Sequence, residues 1–317
     1  MICPPFCPGK WASKESKHCN CRRPSMTPAK SRRYCGRDFS PRQMRIIRRI
    51  IAEDPDRSRF QISKIVCETL GWFKPGGGLK DMSCRVAMLR MQKDGLIQLP
   101  PPRNPGRGGK PCRIRFSSRT LPEAPVVKPV HQLPRLCFIR VFSKEQSRLW
   151  NEYIHRYHYL GYTPLPGAQL RYFVCANGQT LALLGFSAAA WKTAPRDDFI
   201  GWSPQQRRRN LHLVVNNSRF LILPWITSKN LASKILSMSA RRMPEEWLKT
   251  YNYEPVLVES FVQKDKFTGI CYKAANWLLV GATKGRGKME HERLCLLPKK
   301  YIWVYPLYKN FKERLLA

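Results

Sequence analysis

Acidic residues are what this chain has least of: 21 Asp+Glu stand against 57 Lys+Arg, leaving a formal net charge of +36 over 317 residues. Long apolar runs are missing as well. No stretch approaches the ~20 residues of a membrane span, and no apolar signal segment opens the chain, so neither insertion nor secretion is expected. The longest strongly apolar stretch, Phe220 to Ile226, is only strand-length. Twelve cysteines are too few for a disulfide scaffold and read as intracellular thiols or metal ligands. With 43% hydrophobic and 11% aromatic residues, general disorder is excluded and about two domains with real cores are expected.

So much like charge repels itself unless a partner neutralises it, and nucleic acid is the leading candidate. The charge runs from Arg22 to Arg314 rather than gathering in one tail, which favours a folded body with a broad basic surface, cytoplasmic and associated with the nucleoid.

Cys3, Cys7, Cys19 and Cys21 crowd the N-terminus beside His18, among Pro4, Pro5, Pro8 and Gly9. Either they close a structural zinc site, which would give this coreless segment a fold, or they are incidental to a disordered basic tail; their spacing fits neither a ribbon nor a finger. Cys67, Cys84, Cys137, Cys175, Cys271 and Cys295 sit singly within apolar patterns and read as small buried hydrophobes.

The organisation expected is a Cys-rich tail over 1–36, a winged helix over 37–118, an extended Pro/Val-rich linker over 119–135 and an α/β domain over 136–317. In the second segment, a helix at Pro41 to Ala52 sets Met44, Ile47, Ile50 and Ile51 against Arg42, Arg45, Arg48 and Arg49. Ser58 with Gln61 is a capping-box signature for a second helix, which Gly71 stops. A third, Leu79 to Lys93, is expected to turn Met82, Val86 and Leu89 inward and Ser83, Arg85, Arg90 and Lys93 outward, as a recognition helix would. Strands at Leu96 to Leu99 and Ile114 to Phe116 would flank a basic wing carrying Arg103, Arg107 and Lys110. The competing reading of this segment is a protein-binding winged helix.

The C-terminal segment reads as mixed α/β. A helix is expected over Phe142 to Tyr157, a hairpin of Leu170 to Ala176 and Thr180 to Ser187 around Asn177-Gly178, and strands at Leu211 to Val215 and Phe220 to Leu223. A helix at Asn230 to Met243, a strand at Pro255 to Val262, a short helix at Tyr272 to Trp277 and strands at Leu278 to Gly281 and Ile302 to Tyr305 follow. This element order resembles the acetyltransferase-like (GNAT-like) fold, so the fold class expected is α+β, a winged helix followed by a GNAT-like mixed sheet. Enzymes of that fold hold coenzyme A on a Gly-rich turn, whereas the corresponding turn here, Leu223 to Asn230, has no glycine, which speaks against acyl transfer.

Several local strings are more specific: His158-Tyr159-Leu160-Gly161, Ala189-Ala190-Trp191, Arg196-Asp197 with Ile200-Gly201-Trp202, Asn216-Asn217-x-Arg219-Phe220, Asn230-Leu231-Ala232-Ser233, Glu259-x-Phe261-Val262, and Tyr272 to Arg286 with Asn276-Trp277 and Thr283-x-Gly285. Together they resemble the DruA family, from about Phe39 to the C-terminus. The resemblance implies a role in Druantia anti-phage defence, or in mobile-element DNA processing, because a similar domain precedes the catalytic domain of some insertion-sequence transposases. It brings no catalytic residues with it.

Three chemistries stay open at this level. Asp197, with Asp198, Glu259 and Asp265, could hold Mg or Mn for phosphodiester cleavage, or could simply pair with Arg196, Arg219 or Lys264. Tyr272, Tyr157 or Tyr159 could act as a nucleophile, with His158 nearby. A non-catalytic module would instead bind duplex or branched DNA and recruit a helicase or nuclease, using Arg207, Arg208, Arg219, Lys284, Arg286 and Lys288 beside the basic residues of the helical segment. Asn216, Asn217 and Arg219 either satisfy one another or line a cleft.

Overall fold

A computed structural model describes residues 31–103, 114–285 and 297–317. The chain divides into two compact units, one holding residues 31–72 and 80–103, the other 73–79 and the described residues from 114 onward.

In the first unit a hairpin of β1 (Arg32–Tyr34) and β2 (Arg37–Phe39) precedes three helices, α1 (Pro41–Ala52), α2 (Arg59–Thr69) and α3 (Asp81–Lys93). Capping boxes start the first two: Ser40 with Gln43 and Ser58 with Gln61 each satisfy free backbone N–H groups reciprocally. Helix α1 is strongly amphipathic, burying Met44, Ile47 and Ile50 while Arg42, Arg45, Arg48 and Arg49 are exposed. Helix α3 carries apolar residues on two faces, so its sequence offers two inward orientations. The buried one is Cys84, Ala87, Met88 and Met91; Met82, Val86 and Leu89 are exposed, opposite to the expected facing. The small Cys84 and Ala87 suit close approach to Ile62, Ser63, Val66 and Cys67, the buried residues of α2.

The strands expected at 96–99 and 114–116 are not formed. Side chains hold the first segment instead: Arg48 donates to the Leu96 carbonyl, the Leu99 N–H donates to Gln92, and Arg59 donates to the Pro100 carbonyl at 2.7 Å. Three prolines from Pro100 onward then supply no ladder N–H. The tip of the expected wing, with Arg107 and Lys110, lies outside the described residues.

The second unit is built on a seven-stranded sheet of β3 (Cys137–Arg140), β4 (Leu170–Ala176), β5 (Gln179–Ala188), β6 (Val214–Ile222), β7 (Leu257–Gln263), β8 (Leu278–Ala282) and β9 (Lys300–Pro306). The order is β3-β4-β5-β6-β7-β9-β8, antiparallel everywhere except between β6 and β7. A parallel neighbour needs a crossover. Helix α7 (Leu231–Tyr251) provides it, running on past the expected end at Met243 and through Pro244 because Trp247 is buried in the core. The β4–β5 turn is as expected, with Asn177 and Gly178 both at positive φ. Where two short strands were expected around Asn216 and Asn217, β6 is a single strand.

The remaining helices are α4 (Lys144–Tyr157), α5 (Ala194–Ile200), α6 (Pro204–Asn210), α8 (Ile270–Ala274) and α9 (Phe311–Leu316). The segment expected as an extended linker is interrupted by a short 3-10 turn at Val130–Gln132 and is laid along this unit. Val126 N–H donates to the Trp225 carbonyl and its own carbonyl accepts from Thr227, while Thr120 donates to buried Glu152 at 2.6 Å. Of the cysteines expected to be buried, Cys67, Cys84 and Cys175 are; Cys271 is half-buried, Cys137 is exposed at the sheet's edge strand, and Cys295 lies outside the described residues.

Candidate functional site

Between β5 and β6, helices α5 and α6 carry a charged cluster into the interior. Arg196 is wholly buried, and its Nη1 donates to Glu259 Oε2 at 2.9 Å and to the Ala190 carbonyl at 2.8 Å. Its Nε and Nη2 both donate to Asp197 Oδ1, which also accepts from Trp202 Nε1 at 3.0 Å. The other Asp197 oxygen accepts from Thr193 N–H and Arg207, both at 3.2 Å, and Glu259 Oε1 accepts from Ala190 N–H at 2.8 Å. Complete burial pushes the Glu259 carboxyl above its ordinary range, and the Arg196 charge beside it opposes that shift. All four carboxylate oxygens are thus engaged. Asp198 and Asp265 do not join the cluster: Asp265 accepts from Gln263. No group of three or more His, Cys, Asp or Glu suited to a metal occurs among the described residues. The zinc candidates Cys3, Cys7, Cys19 and Cys21 lie outside them.

A second site follows from the sheet. Strands β6 and β7 pair only where Val214–Asn217 meet Leu257–Ser260. Beyond that point β6 stays with β5 and β7 stays with β9, so the two splay apart at their C-terminal ends. The register of β6 against β5 slips there too, leaving Ser218 as an extra residue, and such bulges re-aim neighbouring side chains. Ligands of open sheets collect at carboxyl ends of parallel strands. A cavity of about 610 Å³ fills this gap.

Its polar wall is a closed set of hydrogen bonds. Tyr272 hydroxyl donates to Asn217 Oδ1 at 3.1 Å, Ser260 donates to the Tyr272 oxygen at 3.0 Å, and the Asn217 amide donates to the Gly185 and Arg219 carbonyls. Burial raises the Tyr272 pKa further above its ordinary value. Across the cavity His158 ends α4; its Nδ1 accepts from Leu160 N–H at 3.2 Å, which puts the ring proton on Nε2. Burial, then the charge of Arg219, pushes His158 down to about 4, so it is neutral at physiological pH. Tyr159 stacks on His158 with ring centres 4.8 Å apart and lies 5.3 Å from Phe267; both aromatics are exposed at the mouth.

The structure therefore brings His158 and Tyr272 into one cavity and Asp197 and Glu259 into one buried cluster. Among the basic candidates, Arg42, Arg45, Arg49, Arg90, Lys93, Arg103, Arg208 and Lys284 are exposed, Arg85 and Arg207 half-buried, and Arg219 buried; Arg286 and Lys288 lie outside the described residues. Sequence reasoning missed Ser260 and the Phe267 rim, because their relation to Tyr272 and Tyr159 is set by the splay. The Asn216-Asn217-x-Arg219 string was the signal that could have located it.

In the turn from β6 into α7, expected to hold coenzyme A in an acyltransferase, three N–H groups are in use: Ile226 donates to Leu223, Thr227 to Val126 and Leu231 to Ser228.

Among solved structures, the chain is similar to aminoglycoside acetyltransferase AAC(6')-Ib in complex with coenzyme A, at 12% identity over 57% of this chain and 98% of that one, with TM-score 0.36. It is also similar to Drosophila melanogaster polyamine N-acetyltransferase, at 10% identity over 54% of this chain and 100% of that one, with TM-score 0.34. No curated protein matches it in sequence. The family model described as Druantia protein DruA matches residues 91–294, well over half of the chain. The chain belongs to the DruA family.

Proposed function

We propose that this chain is the DNA-recognising component of an anti-phage defence system, and that it leaves unwinding or cleavage of the DNA to a partner helicase or nuclease. One contrast carries the reading. Arg42, Arg45, Arg90, Lys93, Arg208 and Lys284 are exposed without a carboxylate partner among the described residues, whereas Asp197 and Glu259 have every oxygen committed to the protein itself. Exposed cations of this kind release counterions on contact with phosphates, and carboxylates already paired with buried arginine and backbone N–H groups are disfavoured as ligands of a divalent metal.

A tyrosine-based cleavage is the second reading, because Tyr272 and His158 share a cavity. Labelled supercoiled, linear, forked and single-stranded DNA incubated with Mg²⁺, Mn²⁺ or EDTA tests all of these. Salt-sensitive binding without breakage is the expected outcome. Breakage lost in Asp197→Ala or Glu259→Ala would overturn it in favour of a metal-dependent nuclease, and an EDTA-resistant protein–DNA adduct lost in Tyr272→Phe would favour the tyrosine.

A further inference from the structure

Arg219 is 9% exposed and has no carboxylate within ion-pair distance among the described residues. Its guanidinium donates to the Ser218 carbonyl and to Thr163 Oγ1, both at 2.7 Å, while its buried Nε has no partner. A buried cation satisfied only by neutral oxygens is costly unless an anion joins it. The surroundings make the charge more exposed electrostatically rather than less: Lys300 lies near enough that burial and then Arg219 lower its pKa, and His158 responds in the same way. The region is built for a negative group that the protein does not supply.

The splay cavity adjoins it through Ser218, which lines the cavity and whose carbonyl accepts from Arg219, while Arg219 itself stands just outside the lining. Tyr159 and Phe267 are 37% and 48% exposed, more than a core role requires, and Lys266 sits 5.2 Å over the Tyr159 ring. Inside, the neutral His158 offers an Nε2–H donor, and the Asn217, Ser260 and Tyr272 set offers oxygens of fixed orientation. A stacking face, a neutral polar interior and an uncompensated cation together match one nucleotide: a flat base, its edge groups and its phosphate. The volume of about 610 Å³ falls in the ~300–1,000 Å³ range of small-ligand sites and is too small for several nucleotides.

We propose that the cavity at the β6–β7 splay receives a single unstacked nucleotide of the bound DNA, its base against Tyr159 and Phe267 and its phosphate at Arg219. This rests on the DNA-recognition reading above and adds to it a preference for single-stranded, forked or mismatched DNA, whose bases leave the stack at least cost.

The test is photocrosslinking of the full chain to a single-stranded oligonucleotide carrying one 5-iododeoxyuridine, with affinity measured in parallel by fluorescence anisotropy. The expected adduct lies on the tryptic peptides 157–171 or 267–273, which contain Tyr159 and Phe267. Tyr159→Ala should remove the Tyr159 adduct and weaken single-strand binding roughly 5- to 100-fold. Arg219→Lys should weaken it similarly, and the exposed Tyr159 keeps the test decisive if that variant does not fold. DNA binding with adducts confined to residues 31–103 would overturn the cavity proposal and leave DNA recognition standing. Absence of any DNA binding at low salt would overturn the recognition reading; a calorimetric titration with deoxyadenosine monophosphate then decides the cavity, saturable binding lost in Tyr159→Ala upholding it and no binding removing it.

Discussion

Arg196 Nη1 lies 2.9 Å from Glu259 Oε2, and neither side chain reaches solvent. The two residues are 63 apart in sequence, on α5 and β7, and Arg196 is the cation that pairs with Glu259 while also holding Asp197. Asp197, Trp202 and Arg207 complete the arrangement from α5, the segment after it and α6. It ties the α5–α6 excursion to the middle of the sheet.

Arg196→Met is therefore expected to destabilise the protein by about 3–5 kcal/mol, since it leaves Glu259 buried without compensation. Glu259→Gln should cost less, because the amide oxygen still accepts from Ala190 and Arg196 keeps Asp197. Urea denaturation checks the order; a Glu259→Gln loss as large as that of Arg196→Met would mean that the stranded Glu259 charge does not set the cost.

His158 gives a pH signature. Its folded pKa of about 4 lies below the unfolded value near 6.5, so between them the unfolded chain binds the proton and the folded one does not. Stability should fall as pH drops through that window, by on the order of 3 kcal/mol, and be recovered at higher pH. His158→Gln should flatten the slope relative to the parent chain in urea midpoints measured from pH 4 to 7; an unchanged slope would place the titrating group elsewhere.

The exposed arginines of α1 should act through counterions. Arg42→Ala, Arg45→Ala and Arg49→Ala are each expected to lower the slope of log affinity against log salt by about 1 if the residue meets a phosphate, without altering sequence preference. Anisotropy titrations between low and moderate salt measure this. Equal slopes in parent and triple variant would remove α1 from the interface.

Gly269 begins α8 at φ +77°, and a Cβ there would stand 2.7–2.8 Å from the Trp303 indole. Gly269→Ala combines a left-handed backbone with a clash against a buried ring, so a loss of more than ~1 kcal/mol is expected. Because α8 carries Tyr272, thermal denaturation should be paired with the single-strand affinity; a change in neither would mean that the Trp303 ring yields freely.

Signals confined to a few residues were legible in the sequence. Ser58 with Gln61, Asn177-Gly178 and the arginine-opposed stripe of α1 each specify hydrogen bonds or facing within one turn, and each appears in the structure. The strings from His158 to Gly285 were enough to indicate the family. The facing of α3 was not legible, because two apolar stripes compete and only the shape of α2 chooses Cys84, Ala87, Met88 and Met91.

The charge, the helix starts, the hairpin turn and the family were determined by the sequence itself, since composition and short-range geometry suffice for them. Only the tertiary structure decided that Asp197 and Glu259 close on Arg196, that the segment around Val126 docks against Trp225 and Thr227, and that β6 and β7 part after Asn217 and Ser260. Those are matters of strand register and burial between residues far apart in the chain, where the energy of a pairing depends on everything packed around it.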